Sequence, residues 1–136
     1  MVNQSKKKGT DWESAVRAYL QEHHNPAARR NVQMGRADIG DLDGYYLHAA
    51  ECKDEQRITL SDYVAQANRE AINAGQPYGA AFVKRRRAGV AAGYVVRDVE
   101  TDVRLINRLR DAEELLQVHA PPLIWETHLR RHGEGH

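Results

Sequence analysis

One tight turn between two strand patterns constrains the fold of this chain more than any other feature of its sequence. Asp43-Gly44 is a strong signal for a β-hairpin, with residues 37–42 as the strand before it and residues 45–53 as the strand after it. Side chains alternate between the two faces of a strand. The side chains predicted on one face of the second strand are Tyr45, Leu47, Ala49, Glu51 and Lys53. The hairpin therefore carries a glutamate and a lysine side by side at its end.

Helical and strand patterns alternate along the rest of the chain. The first helix has Thr10 as its N-cap candidate, and Asn25-Pro26 follows its end. The predicted helices run from after Thr10 to about His23, from Thr59 or Ser61 to the stop signal at Gly75, and over residues 102–118; the predicted strands cover residues 29–34, 37–42, 45–53, 78–83 and 93–99. This order predicts an α/β fold with a mixed central β-sheet flanked by helices.

The length of 136 residues fits one domain with a single core. Residues 1–8 are expected to form a basic, disordered arm, residues 9–120 a single domain, and residues 121–136 a tail. The end of that tail is rich in His and Arg and has too little apolar content to pack.

Several protein classes are excluded by what the sequence lacks. No apolar run is long enough to span a membrane, and the first residues lack the apolar stretch of a signal peptide. Cys52 is the only cysteine, which excludes an internal disulfide framework and a cysteine-based zinc site. We therefore expect a cytoplasmic protein without a membrane partner, in a cell or in a phage-infected bacterium.

The formal net charge of +1 hides a segregation of charges along the chain. The basic runs are Lys6-Lys7-Lys8, Arg29-Arg30 and Lys84-Arg85-Arg86-Arg87. Residues 38–55 are acidic instead: Lys53 is the only lysine or arginine among them, and the acidic residues are Asp38, Asp41, Asp43, Glu51, Asp54 and Glu55. Carboxylates hold a hard cation, and flanking Lys and Arg hold phosphates, so this pattern favours a metal-using enzyme that acts on a polyanion. Each run taken alone is more simply a solvated face.

The hairpin brings together the parts that phosphodiester hydrolysis requires. Asp38 lies across the hairpin from Glu51, and the two carboxylates offer oxygen ligands suited to Mg²⁺ or Mn²⁺. Lys53 beside them can stabilise negative charge that develops on a phosphate. Two alternatives stay open. The Glu51–Lys53 pair can be an ordinary exposed ion pair, and Asp41 or Asp43 can take the role given to Asp38.

These residues resemble the motif of a known superfamily. Asp38, followed after thirteen residues by Glu51-Cys52-Lys53, is similar to the signature of the PD-(D/E)-x-K nucleases, with Ala37 in place of the proline. Residues 8–13, Lys-Gly-Thr-Asp-Trp-Glu, resemble the K-G-x-x-x-E opening of the archaeal-type Holliday junction resolvases and their phage relatives. The resemblance covers residues 8–99, most of the chain.

The resemblance implies a restriction-endonuclease-like core with Glu13, Asp38 and Glu51 as metal ligands, and with Lys53 and Gln66 completing the catalytic site. It also implies a homodimeric, Mg²⁺- or Mn²⁺-dependent endonuclease that cuts four-way or otherwise branched DNA. Glu13 has a second interpretation, because residues 10–13 also fit a helix capping box. The other hypotheses are a nuclease of the same fold acting on duplex or single-stranded DNA, a catalytically silent DNA-binding module, and an interaction protein with a coincidental charge pattern.

Basic side chains outside the site are expected to hold nucleic-acid phosphates. The residues assigned to this role are Lys6, Lys7, Lys8, Arg29, Arg30, Arg36, Lys84, Arg85, Arg86 and Arg87. Such contacts position a nucleic acid and do not read its sequence. The sequence shows no helix-turn-helix or zinc-finger pattern, so recognition by shape is expected.

Overall fold

A computed structural model of the protein describes residues 4–32 and 37–133. Its helices are α1 (Gln4–His23), α2 (Leu60–Ala74), α3 (Val99–His119) and α4 (Pro122–His132), and its strands are β1 (Arg29–Arg30), β2 (Leu42–Asp43), β3 (His48–Lys53), β4 (Tyr78–Val83) and β5 (Tyr94–Val96). A short 3₁₀ helix, Val90–Ala92, precedes β5. None of the described helices is both long enough and apolar enough to cross a membrane.

The five strands form one mixed sheet in the order β1-β2-β3-β4-β5. β3 and β4 are parallel, with His48 opposite Tyr78 and Lys53 opposite Val83, and the other pairs are antiparallel. A parallel pair needs a crossover connection, and α2 lies between β3 and β4 in the chain. The predicted α/β class and the mixed sheet flanked by helices are confirmed. The two parallel strands end side by side, at Lys53 and Val83.

The first face of the sheet is covered by α1. Trp12, Val16 and Leu20 recur at helical spacing and are buried with Ala50 and Phe82 of the two central strands. The indole Nε1 of Trp12 donates a hydrogen bond of 2.9 Å to the main-chain oxygen of Phe82. Burying this polar atom is tolerated because it has a partner. The apolar stripe predicted for the first helix is therefore its contact with the sheet.

The second face of the sheet is covered by α2. Tyr63 packs with Ala81 and Val83, and Ala67 and Ala71 are also buried on this helix. The helix ends at Gly75, whose φ of 68° and main-chain hydrogen bond to Ala71 form a left-handed cap. The predicted stop at Gly75 is confirmed, and so is the strand over residues 78–83.

Both predicted hairpin strands begin too early in the chain. The first strand was expected over residues 37–42, but only Leu42–Asp43 pair, because the chain turns at Gly40 with a φ of 96°. The second strand begins at His48 because Leu47, with a φ of 63°, interrupts the extended backbone. The alternation of side chains therefore does not extend back to Tyr45, which packs on the α1 face against Phe82.

Residues 4–8, which the sequence assigns to a basic arm, lie in α1, which begins at Gln4. Gln and Lys are good helix formers, so the basic run continues the helix. Thr10 is therefore inside the helix, where its hydroxyl donates to the main-chain oxygen of Lys6, and it does not act as an N-cap. The capping-box interpretation of Glu13 requires Thr10 as the N-cap and is therefore wrong.

The chain divides into two compact units, one up to Asp98 and one from Val99 onward. This division differs from the predicted single domain over residues 9–120, because α3 falls in the second unit with α4. The two helices are joined by an ion pair of 3.3 Å between His128 and Glu113. Part of the predicted C-terminal tail forms α4, where proline at the first turn favours helix initiation, and none of the residues of this helix is buried.

Candidate metal centre

Glu51 lies two residues before the end of the central strand β3, with only 3% of its surface exposed. Its side chain points towards α2, where the amide Nε2 of Gln66 donates hydrogen bonds to the carboxylate of Glu51 and, at 2.8 Å, to Oε1 of Glu70. Gln66 and Glu70 are four residues apart and therefore share one face of the helix. One helical turn thus presents an amide and a carboxylate to the strand.

Asp38 supplies a third carboxylate from the loop before β2. Oxygen atoms of Asp38, Glu51 and Glu70 all lie within 4.8 Å of one another, and we call this set the three-carboxylate cluster. The loop is held in place at two points, since Asp38 Oδ1 accepts a hydrogen bond from the Gly40 amide and its main-chain oxygen accepts one from Asn73. Three converging carboxylates are a ligand set suited to Mg²⁺ or Mn²⁺.

Glu70 is the most deeply buried carboxylate of the cluster. It is 1% exposed, and its Oε2 is buried without a hydrogen-bond partner among residues 4–32 and 37–133. Buried polar atoms are nearly always satisfied, and a carboxylate oxygen beside two other carboxylates is a position where a divalent cation could bind. An open cleft of about 330 Å³ borders the cluster and is lined by Asp38, Gln66, Arg69, Glu70, Ile72 and Asn73.

The surroundings of the cluster favour the protonated forms of its two glutamates. Burial raises the pKa of Glu51 to about 11, and hydrogen bonds and charges of Asp41 and Glu70 add to the effect. Burial also raises the pKa of Glu70, partly offset by its hydrogen bonds with Glu51 and Gln66. Without a cation Glu51 therefore retains its proton at neutral pH. A bound divalent cation would displace that proton and allow the carboxylate to ionise.

Lys53 lies beside Glu51 on the same face of β3, as the alternation of the strand predicts. Its Nζ is 3.9 Å from Glu51 Oε2 and 5.5 Å from the ring centre of Tyr63. Its side chain is only 21% exposed. An ordinary surface ion pair has both partners in water. Because Glu51 is buried, the pair of Glu51 and Lys53 is not the exposed ion pair that the sequence left open as an alternative.

Asp41 and Asp43, the alternatives to Asp38, have different surroundings. Asp41 Oδ2 accepts a hydrogen bond of 2.8 Å from the Cys52 amide, and its charge acts on Glu51. Asp43 pairs with Arg29 at 3.3 Å on the surface. Asp41 therefore borders the cluster as a neighbour of Glu51, whereas Asp43 binds a surface arginine.

Glu13 lies outside the three-carboxylate cluster. Its Oε1 accepts a hydrogen bond of 2.6 Å from Nε of Arg30, and its side chain is 14% exposed. Burial raises the pKa of Glu13, the hydrogen bond from Arg30 opposes this, and the charge of Asp41 adds to it. The resemblance gave Glu13 the role of a metal ligand, and the structure gives it an arginine partner. The carboxylate that joins Asp38 and Glu51 comes from α2 instead.

The basic residues assigned to phosphate binding have mixed surroundings. Lys6 and Lys8 are exposed on α1, and Lys7 pairs with Asp11 one helical turn away. Arg29 pairs with Asp43, Arg30 with Glu13, and Lys84 and Arg86 with Asp54, whereas Arg85 and Arg87 are exposed. Arg36 lies outside the described residues. Five of the nine described side chains are therefore bound to carboxylates of this chain.

Glu70 and Asp54 are the residues that the sequence analysis missed. Glu70 follows Gln66 at a spacing of four in a predicted helix, so the helical period places it on the same face as Gln66. Asp54 belongs to the acidic cluster of the sequence, but no local pattern distinguishes it from the exposed Glu55. Comparisons of the chain with protein-family models, with curated proteins and with solved structures found no match.

Proposed function

We propose that the protein is a metal-dependent, structure-selective DNA endonuclease, a Holliday junction resolvase that hydrolyses phosphodiester bonds in branched DNA. The observation that carries this proposal is the three-carboxylate cluster, in which Glu51 and Glu70 are buried, with Lys53 beside Glu51. The unpartnered oxygen of Glu70 supports a cation in the cluster. The motif of Asp38 and Glu51-Cys52-Lys53 supports a restriction-endonuclease-like core and DNA as the substrate.

Each residue has a chemical role in this proposal. Asp38, Glu51 and Glu70 would hold Mg²⁺ or Mn²⁺, which supplies a Lewis acid and a water of lowered pKa when bound. Gln66 fixes the orientation of two ligand carboxylates through its amide. Lys53 provides a fixed positive charge where negative charge develops on the phosphate. Exposed basic residues hold the neighbouring phosphates of the backbone.

The substrate class rests on the resemblance and on the charge pattern. A junction has two-fold symmetry and must be nicked on two strands, so we propose that the protein acts as a homodimer. Nucleases of the same fold that cut duplex or single-stranded DNA would use the same cluster, and a silent DNA-binding module would bind without cleaving. These alternatives differ from a resolvase in substrate preference and metal dependence.

The test compares a labelled four-way junction with matched duplex and single strands, in Mg²⁺, Mn²⁺ or EDTA. Paired symmetric nicks in the junction alone, lost in EDTA and in Glu51→Gln, are the expected result. Glu55→Gln, which changes an exposed neighbouring carboxylate, is the matched control and should cleave normally. Equal cleavage of linear DNA would contradict the proposed specificity for junctions. Salt-sensitive DNA binding without any cleavage would contradict the proposed nuclease activity. The mass of the protein in solution tests the homodimer.

A further inference from the structure

A second buried carboxylate follows the strand that carries Glu51 and Lys53. The side chain of Asp54 is only 1% exposed, and it takes no part in the three-carboxylate cluster. Nη1 of Arg86 donates a hydrogen bond of 3.1 Å to its Oδ1, and Nζ of Lys84 lies 3.8 Å from its Oδ2. That Oδ2 has no hydrogen-bond partner within the part of the chain that the structure describes. One buried acid therefore faces two cations.

The position of these residues follows from the parallel pairing of β3 and β4. Both strands end at the same edge of the sheet, and the amide of Lys84 donates a hydrogen bond of 3.0 Å to the main-chain oxygen of Lys53. The side chains of Lys84 and Arg86 are 35% and 45% exposed. They are therefore anchored on Asp54 but still reach solvent, beside the strand end that carries the candidate catalytic lysine.

We propose that Asp54, Lys84 and Arg86 form a binding site for a backbone phosphate of the nucleic acid, with Asp54 as the positioning residue. The proposal rests on the proposed function, since it takes the substrate to be a nucleic acid. One carboxylate against two cations leaves the site positive, and the exposed Arg85 and Arg87 belong to the same segment. A phosphodiester oxygen can accept hydrogen bonds from the N–H groups of Lys84 and Arg86 that face solvent.

The role of Asp54 is to hold two flexible side chains in one place before the phosphate arrives. Free lysine and arginine side chains lose much rotational freedom on binding, and a side chain that is already ordered loses less. The simpler alternative is that Asp54 only neutralises the two cations. In that case its removal would free positive charge and strengthen the binding of a polyanion. The two interpretations predict changes in DNA affinity of opposite sign.

The experiment measures binding of labelled junction and duplex DNA in EDTA at several salt concentrations, so that no cleavage occurs. We expect Asp54→Asn to weaken DNA binding about five- to tenfold although it removes a negative charge, and Asp54→Glu to recover part of the loss. Glu55→Gln removes the same charge from an exposed neighbour and should leave binding equal or slightly stronger. Mn²⁺ affinity and thermal unfolding of each variant are measured alongside, and Mn²⁺ affinity should stay unchanged.

A second comparison does not depend on the folding of the Asp54 variants. Arg86→Ala and Arg85→Ala remove the same charge from the same segment, but only Arg86 is anchored on Asp54. We expect Arg86→Ala to weaken DNA binding at least threefold more than Arg85→Ala. Equal losses for the two arginines, or tighter binding by Asp54→Asn, would overturn the proposed site while leaving the nuclease intact. A wild-type protein that neither binds nor cleaves DNA would overturn the proposed function and this site together.

Discussion

Gly79 on β4 lies directly under Ala67 on α2, so close that a Cβ atom on the glycine would be 2.5 Å from the main-chain oxygen of Ala67. Real Cβ atoms do not approach a main-chain oxygen so closely, so only glycine allows this contact. The turn of helix next to Ala67 carries Gln66 and Glu70, which bind the carboxylate of Glu51. The geometry of the candidate metal centre therefore depends on how closely α2 rests on the sheet.

Gly79→Ala should push α2 away from β4. We expect the free energy of unfolding to fall by about 1–3 kcal/mol, since the helix backbone must shift to accept the methyl group. Mn²⁺ affinity should fall as well, because the shift moves Gln66 and Glu70 relative to Glu51. Urea denaturation and calorimetric titration measure the two effects. Gly89→Ala is the control, because a Cβ atom there meets nothing within 4 Å. Equal stability of the two variants would contradict the close contact.

The metal-free protein should lose stability as the pH rises. Burial raises the pKa of Glu51 from the ordinary 4.5 to about 11, so the folded state keeps a proton that the unfolded chain releases. The resulting contribution to stability is fully present below the ordinary pKa and is lost as the pH rises through the interval up to the folded pKa. The free energy of unfolding should fall by at most about 1.4 kcal/mol per pH unit for each retained proton.

Unfolding in EDTA between about pH 6 and about pH 8 tests this pH dependence. Glu51→Gln cannot ionise at this position and should show a flatter profile than the wild type. Saturating Mn²⁺ should flatten the slope, because the cation displaces the proton from the folded state and the unfolded chain is already ionised at these pH values. Parallel profiles for the wild type and Glu51→Gln would show that Glu51 keeps no extra proton when folded.

Local geometry accounts for the part of the site that the sequence predicts. Glu51 and Lys53 share a face because a strand alternates, and that rule needs no tertiary information. The rule failed before His48, where the positive φ of Leu47 interrupts the strand. The strand β4 and the end of α2 at Gly75 are also predicted correctly from the sequence, because an apolar run and a glycine at a helix end are local signals.

The rest of the site depends on contacts between distant parts of the chain. Glu70 reaches Glu51 only because α2 crosses the sheet at Gly79, and no periodicity in the sequence fixes that crossing. Glu13 accepts a hydrogen bond from Arg30, which lies seventeen residues later in the chain. The K-G-x-x-x-E motif that begins at Lys8 does not include Arg30 and therefore does not predict this pair. The burial of Asp54 likewise follows from the parallel pairing of β3 and β4.

Removing the amide of Gln66 should weaken metal binding without unfolding the protein. Its Nε2 is the donor shared by Glu51 and Glu70, and loss of such an outer partner typically lowers metal affinity about 10- to 100-fold. We therefore expect Gln66→Ala to bind Mn²⁺ in that range more weakly than the wild type. Gln117→Ala, at an exposed position of α3, is the control. An unchanged affinity in Gln66→Ala would mean that the amide does not orient the ligands.

Glu70 and Glu13 should differ sharply in their effect on metal binding. Glu70 lies in the three-carboxylate cluster with an unpartnered oxygen, whereas Glu13 is bound to Arg30. We expect Glu70→Gln to lower Mn²⁺ affinity about tenfold or more, and Glu13→Gln to change it less than about threefold. Calorimetric titration of both variants under the same conditions gives the comparison, with unfolding curves to show that each is folded. The reverse order would place the cation between α1 and the strand, as the resolvase resemblance implies, and would remove Glu70 from the ligand set.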